Sequence, residues 1–126
     1  MKKNKLYIIS LISFLFIHFS YSQDKLNLGV IGLVHDHVHW ILNYKSENIK
    51  IVGIVEKNVN SINRYKKKYN LPDSIFFDTM NDLYNKRKVD AVTAFNSTYD
   101  HLKVVKFFAP KGIHIMVEKP LSVNYE

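Results

Sequence analysis

The sequence holds 126 residues, 47% of them hydrophobic and 23% charged, with no cysteine and a formal net charge of +7. That length suits one modest domain, and the composition is ordinary for a globular chain. The missing thiol excludes disulfide staples, cysteine nucleophiles and cysteine-ligated zinc, so stability must come from an apolar core.

The first residues read as a targeting segment. A basic "MKKNK" precedes the apolar stretch "LYIISLISFLFIHF" (6–19), and "SYS" (20–22) sets small residues at −3 and −1 of a cut before Gln23. The stretch is short for a membrane span, so residues 1–22 are expected to be a cleavable signal peptide and not a stable membrane anchor. With no lipid-attachment cysteine and no Arg-Arg pair, the pattern fits the general export route and a periplasmic or secreted product. Removing residues 1–22 takes Lys2, Lys3 and Lys5 away and leaves 15 basic against 11 acidic side chains, a net charge of +4.

Apolar runs and helical patterns then alternate. "KLNLGVIG" (25–32) predicts a first strand ending on glycine, and "VHWILNYKS" (38–46) a first helix with Trp40 packed in the core. "IKIVGIVE" (49–56) predicts a second strand ending on an acid, and "NVNSINRYKKKYN" (58–70) a helix stopped by Leu71-Pro72. Within that helix "RYKKKY" (64–69) reads as a solvated face, and without helix-turn-helix context no nucleic-acid partner is expected. "SIFF" (74–77) is a brief third strand, and "TMNDLYNKR" (79–87) a helix with Thr79 as N-cap and Asp82 three residues on. "VDAVTAFN" (89–96), the helical "TYDHLKVVKFFAPKG" (98–112) and "GIHIMVEKP" (112–120) close the series.

Near-continuous apolar strands are those buried on both faces of a parallel sheet. Their alternation with helices predicts right-handed βαβ units. The fold class is therefore α/β, a doubly wound, Rossmann-like parallel sheet in three α/β/α layers. Such sheets bind ligands at the carboxyl ends of the strands, which singles out the loops 32–37, 56–57, 96–101 and 118–120. Glu56, 24 residues after Gly32, is placed to accept hydrogen bonds from a ribose diol and to repel a 2′-phosphate, favouring NAD over NADP.

The loop after the first strand departs from the glycine pattern of a dinucleotide turn. Gly32 and Leu33 are followed by Val34 where a second glycine belongs, and His37 fills the third place. Glycines serve there because the backbone must approach a pyrophosphate closely. His35 or His37 can donate hydrogen bonds to phosphate in compensation. The run "HDHVH" also raises metal binding. His35 and His39 lie at i and i+4 if the helix has begun, whereas His35, His37 and His39 share a side in an extended segment. Neither geometry completes a closed site, and no metal is assigned.

Three stretches, "LGVIGL" (28–33), "VDAVTAFNSTYDHLKVV" (89–105) and "GIHIMVEKPLS" (112–122), carry a resemblance. The chain resembles the N-terminal nucleotide-binding half of the Gfo/Idh/MocA family of sugar and cyclitol oxidoreductases over residues 26–126. The resemblance implies that Lys119 contacts the nicotinamide ribose and the substrate hydroxyl with a catalytic proton-transfer role. It further implies that Glu118 and Pro120 fix that loop, that Asn96 and Ser97 border the cofactor, and that His101 is structural. Family members continue into a substrate domain and form oligomers. Residues 23–126 are accordingly expected to be an incomplete NAD(P)-binding domain, inactive alone, with the full-length form a homo-oligomer.

Two functions stand open at this point. One is the nucleotide-binding portion of an exported oxidoreductase that passes hydride between NAD and a small sugar-like or cyclitol substrate. The other is a non-catalytic, Rossmann-like metabolite- or sugar-binding module that has lost tight cofactor binding.

Overall fold

Five strands and four α-helices alternate along residues 24–124, the part of the chain that the computed structural model describes. The expected signal peptide, 1–22, lies outside the described residues. Strand β1 (Leu26–Ile31) leads to helix α1 (Val38–Asn43), and β2 (Ile49–Val55) to α2 (Val59–Tyr69). Then come β3 (Phe76–Phe77), α3 (Met80–Lys86), β4 (Ala91–Ala94), α4 (His101–Phe108) and β5 (His114–Val117). All pairings are parallel, in the order β3-β2-β1-β4-β5. The chain therefore steps outward from β1 to β3 and then crosses back to β4, which makes the β1/β4 boundary the switch point. Among the described residues no helix is long and apolar enough to cross a membrane.

Local chemistry sets the helix limits. The side chain of Asn58 accepts from the backbone N–H groups of Asn60 and Ser61 to start α2, and Asn70, at φ 51°, ends it. Thr79 caps α3 by accepting from the Asp82 N–H at 3.0 Å. The predicted helix 98–112 resolves into a 3₁₀ turn (Thr98–Asp100), α4, and a second 3₁₀ turn (Ala109–Lys111) that stops at Gly112, φ 72°. Pro110 has no N–H for the Lys106 carbonyl, so the α-helical ladder cannot continue. Helix α1 ends at Asn43 rather than at residue 46, and the third strand keeps only its two phenylalanines because Asp73–Ile75 form a 3₁₀ turn.

The core has two halves, one on each face of the sheet, as the three-layer reading expects. Ile31, Phe77, Val92 and Ala94 pack with Leu83 of α3 and with Val104 and Phe108 of α4. Val30, Ile54 and Phe95 pack on the other face with Leu33, Val38 of α1 and Tyr65 of α2. Gly29 and Gly53 stand opposite each other in the β1–β2 register, and the buried Leu83 side chain fills the space they leave. A Cβ on Gly53 would lie 2.2 Å from Leu83 Cδ1.

Trp40 corrects the sequence reading. It is 69% exposed and stacks on His37 instead of entering the core. The inward stripe of α1 is Val38, Ile41 and Leu42, at i, i+3 and i+4, and Trp40 falls off that stripe.

Candidate functional site

The carboxyl ends of β1, β2 and β4 open onto a cleft of about 480 Å³. Of the residues singled out in the sequence, Gly32, Val34, Glu56, Asn96 and Ser97 line it. Lys57 and Asp100, in the expected loops 56–57 and 96–101, line it as well, and Asp78, Thr79, Met80 and Lys103 do so from outside those loops. Asp78 and Thr79 belong to the loop after β3. The carboxyl-end rule reaches this loop equally, but a two-residue strand gives only a weak sequence signal.

Gly32 makes the tight turn at φ 82°. A Cβ there would stand 2.6 Å from Asn96 Cα, so the turns after β1 and β4 meet through backbone. Val34, 68% exposed, places its branched side chain on the cleft where a glycine would leave room. The following N–H groups have partners within the protein. Leu33 N–H donates to Glu56 Oε2 at 3.0 Å, and Val34 and His35 N–H both donate to the Phe95 carbonyl at 3.0 Å. Glu56 Oε1 also accepts from the N–H groups of Lys57 (2.8 Å) and Asn58 (2.9 Å). Glu56 thus ties the β1 turn to the end of β2. Asn96 Oδ1 is buried without a hydrogen-bond donor.

The two bonds to Phe95 strap the β1–α1 loop across the end of β4, which carries its histidines toward β5. His37 Nδ1–H donates to Glu118 Oε2 at 2.7 Å, and His35 Nδ1 lies 3.9 Å from the same oxygen. The bond from His37 holds the Glu118 carboxyl below its ordinary pKa. Partial burial acts the other way, and the Lys119 N–H adds to the lowering. His39 turns aside and pairs with the Tyr69 hydroxyl at 2.5 Å. Neither histidine geometry drawn from the sequence holds. The helix starts at Val38, after His35, and a turn at Asp36–His37 breaks any extended alternation.

His101 is buried at the start of α4, and its Nδ1–H donates to the Pro120 carbonyl at 3.1 Å. That bond assigns the proton to Nδ1 and leaves Nε2 buried without a donor. Glu118 N–H donates to the Ala94 carbonyl at 3.1 Å, and Lys119 is exposed just beyond it. The structure therefore gathers the site residues into two neighbouring groups. One surrounds the cleft, and the other joins His35 and His37 to the Glu118–Pro120 loop.

Residues 26–126 match the model of the Gfo/Idh/MocA oxidoreductase family, NAD-binding Rossmann fold. The chain belongs to this family. What the structure describes is the family's oxidoreductase NAD(P)-binding Rossmann domain. Among solved structures, an oxidoreductase from Desulfitobacterium hafniense described as NADPH-dependent is 26% identical, with a TM-score of 0.66, over 79% of this chain and 29% of that one. The myo-inositol 2-dehydrogenase of Lactobacillus plantarum is 19% identical with a TM-score of 0.67, over 81% of this chain and 30% of its own. The scyllo-inositol dehydrogenase of Lactobacillus casei is 20% identical with a TM-score of 0.65, over 81% and 30%. The chain thus spans about 30% of the length of these family structures. No curated protein matches it.

Proposed function

We propose that the chain is the NAD-binding portion of an exported oxidoreductase acting on a hydroxyl-bearing carbon of a sugar-like or cyclitol substrate. The observation that carries this reading is the cleft at the β1/β4 switch point, where Gly32, Glu56 and Asn96 meet at the ends of adjacent strands. Its residues suit a dinucleotide in two ways. The orphaned Asn96 Oδ1 needs a donor that a ribose hydroxyl or a carboxamide supplies. Glu56 accepts three backbone N–H groups, and a carboxylate has about four acceptor sites, so roughly one remains for a ribose hydroxyl. Its negative charge opposes a 2′-phosphate, which favours NAD over NADP.

A bound nicotinamide dinucleotide supplies the hydride acceptor or donor. The chain's own part is to position the substrate hydroxyl and move its proton, a role assigned to the exposed Lys119. The Ala94 carbonyl and His101 anchor the Glu118–Pro120 loop that carries it. The inositol dehydrogenases among the structural neighbours support a cyclitol or sugar-like substrate. The targeting pattern in residues 1–22 supports export to a periplasmic or secreted location. Residues 23–126 form the nucleotide-binding domain in this reading, and turnover requires a substrate domain in a full-length form that assembles as a homo-oligomer.

One observation favours a second reading, a metabolite-binding module without tight cofactor affinity. The N–H groups of Leu33, Val34 and His35 all have acceptors within the protein, and Val34 narrows the approach to them. The two readings separate by cofactor selectivity. Titrating the full chain with NADH and NADPH, wild type beside Glu56→Gln, should give a preference for NADH that falls about tenfold or more in the variant, the equivalent of about 1.4 kcal/mol. No saturable binding of either nucleotide moves the assignment to the second reading. Equal preference in the two proteins removes the role given to Glu56.

A further inference from the structure

We propose that His35, His37 and Glu118 form a binding site for one divalent transition-metal ion of the zinc class, at the junction of the β1–α1 loop with the end of β5. One ligand atom from each residue lies within 4.8 Å of the other two. Two imidazole nitrogens and one carboxylate oxygen make a donor set that zinc accepts with a fourth position left for water or a ligand oxygen. Calcium and magnesium prefer oxygen-only shells, so this set selects against them.

The geometry is close to what such an ion needs. Bonds of 2.0–2.2 Å at a tetrahedral centre put donor atoms about 3.3 Å apart. Glu118 Oε2 lies 2.7 Å from His37 Nδ1 and 3.9 Å from His35 Nδ1, on either side of that value, and closing the set requires the His35 ring to turn toward His37 and release the His37 N–H that its Nδ1 accepts at 3.3 Å. The rings of His35 and His37 are already gathered, with centroids 4.5 Å apart.

Supporting contacts hold the ligands in place, as metal sites require. The Trp40 indole stacks on His37 with centroids 4.0 Å apart and planes 14° apart. Glu118 keeps its other oxygen on the Lys119 N–H at 3.0 Å, leaving Oε2 for the ion. The backbones of both segments are fixed on β4, the histidine loop through Phe95 and Glu118 through Ala94. The three side chains are 39%, 28% and 12% exposed, which leaves an entry path from solvent. None of the three lines the cleft, although Glu118 adjoins the Lys119 of the proposed function.

The test is calorimetric titration of the untagged full chain with zinc chloride and, separately, calcium chloride, with no nucleotide present. The site predicts one zinc per chain, no calcium binding at the same concentrations, and affinity at least about tenfold weaker in Glu118→Gln and in His35→Ala. His114→Ala, an exposed histidine of β5 outside the cluster, should bind as wild type does. Cobalt(II) substitution should give the visible absorption of a four-coordinate centre in wild type and lose it in Glu118→Gln. That substitution is isosteric, so it carries the test if the histidine variant does not fold. Absence of stoichiometric zinc binding, or equal zinc affinity in wild type and Glu118→Gln, would overturn the proposal and leave the cluster as a hydrogen-bonded pair with a neighbouring histidine.

Discussion

A Cβ at Gly32 would stand 2.6 Å from the Cα of Asn96, so the turns that frame the cleft touch through bare backbone. Gly32 and Gly112 share a left-handed conformation, at φ 82° and 72°, but nothing lies within 4 Å of the Cβ position at Gly112. Alanine at Gly112 therefore carries only the conformational cost, about 1–2 kcal/mol. Gly32→Ala adds overpacking against a backbone that cannot yield and should cost about 2–4 kcal/mol in all. Urea midpoints of the two variants measure the gap. Equal losses would mean that the close approach to Asn96 does not shape the turn.

Trp40 is the chain's one tryptophan, and its exposure makes a direct prediction. Trp40→Ala should change stability by no more than about 0.5 kcal/mol, as at other surface positions, where a core tryptophan would cost about 3–5 kcal/mol. The folded protein should show the red-shifted emission of a wet indole. A blue-shifted spectrum together with a large loss of stability would place Trp40 back in the core.

Asp90 links stability to pH at the opposite end of the sheet from the cleft. Its Oδ2 accepts from the Asn27 backbone N–H at 2.8 Å and from Asn27 Nδ2 at 2.7 Å, joining the start of β1 to the loop before β4. The backbone bond and then the side-chain bond hold its pKa below the ordinary value, outweighing the opposing effect of burial. A group whose pKa is depressed on folding stabilises the protein above its unfolded value, near 4, and that contribution disappears as pH falls through the lower folded value. Denaturation midpoints of the wild type should thus fall more steeply below about pH 4 than those of Asp90→Asn. Parallel curves would show that the Asn27 contacts do not favour the ionised carboxyl.

The alternation of strands and helices was legible because each apolar run and each cap is a local signal. Thr79 with Asp82, the left-handed Gly112 and the branched runs of β1 and β2 required no knowledge of distant residues. The apolar character of Trp40 points to the core, but its position does not, since the spacing of Val38, Ile41 and Leu42 marks the inward face of α1. The pairing of His37 with Glu118 was not legible. It joins residues 81 apart in sequence and depends on β4 lying between β1 and β5, with the histidine loop strapped over its end. The backbone role of Glu56 was hidden for the same reason, since the Leu33 N–H reaches it only when β1 and β2 are paired.

Direct binding of NADH to the full chain tests the central claim most closely, and Val34 supplies its internal control. Calorimetric titration of the wild type should give saturable binding of one NADH per chain. Val34→Gly, which restores the small residue on the cleft, should tighten it by about threefold or more, a gain on the order of 0.7 kcal/mol. Absence of saturable NADH binding in both proteins would contradict the account.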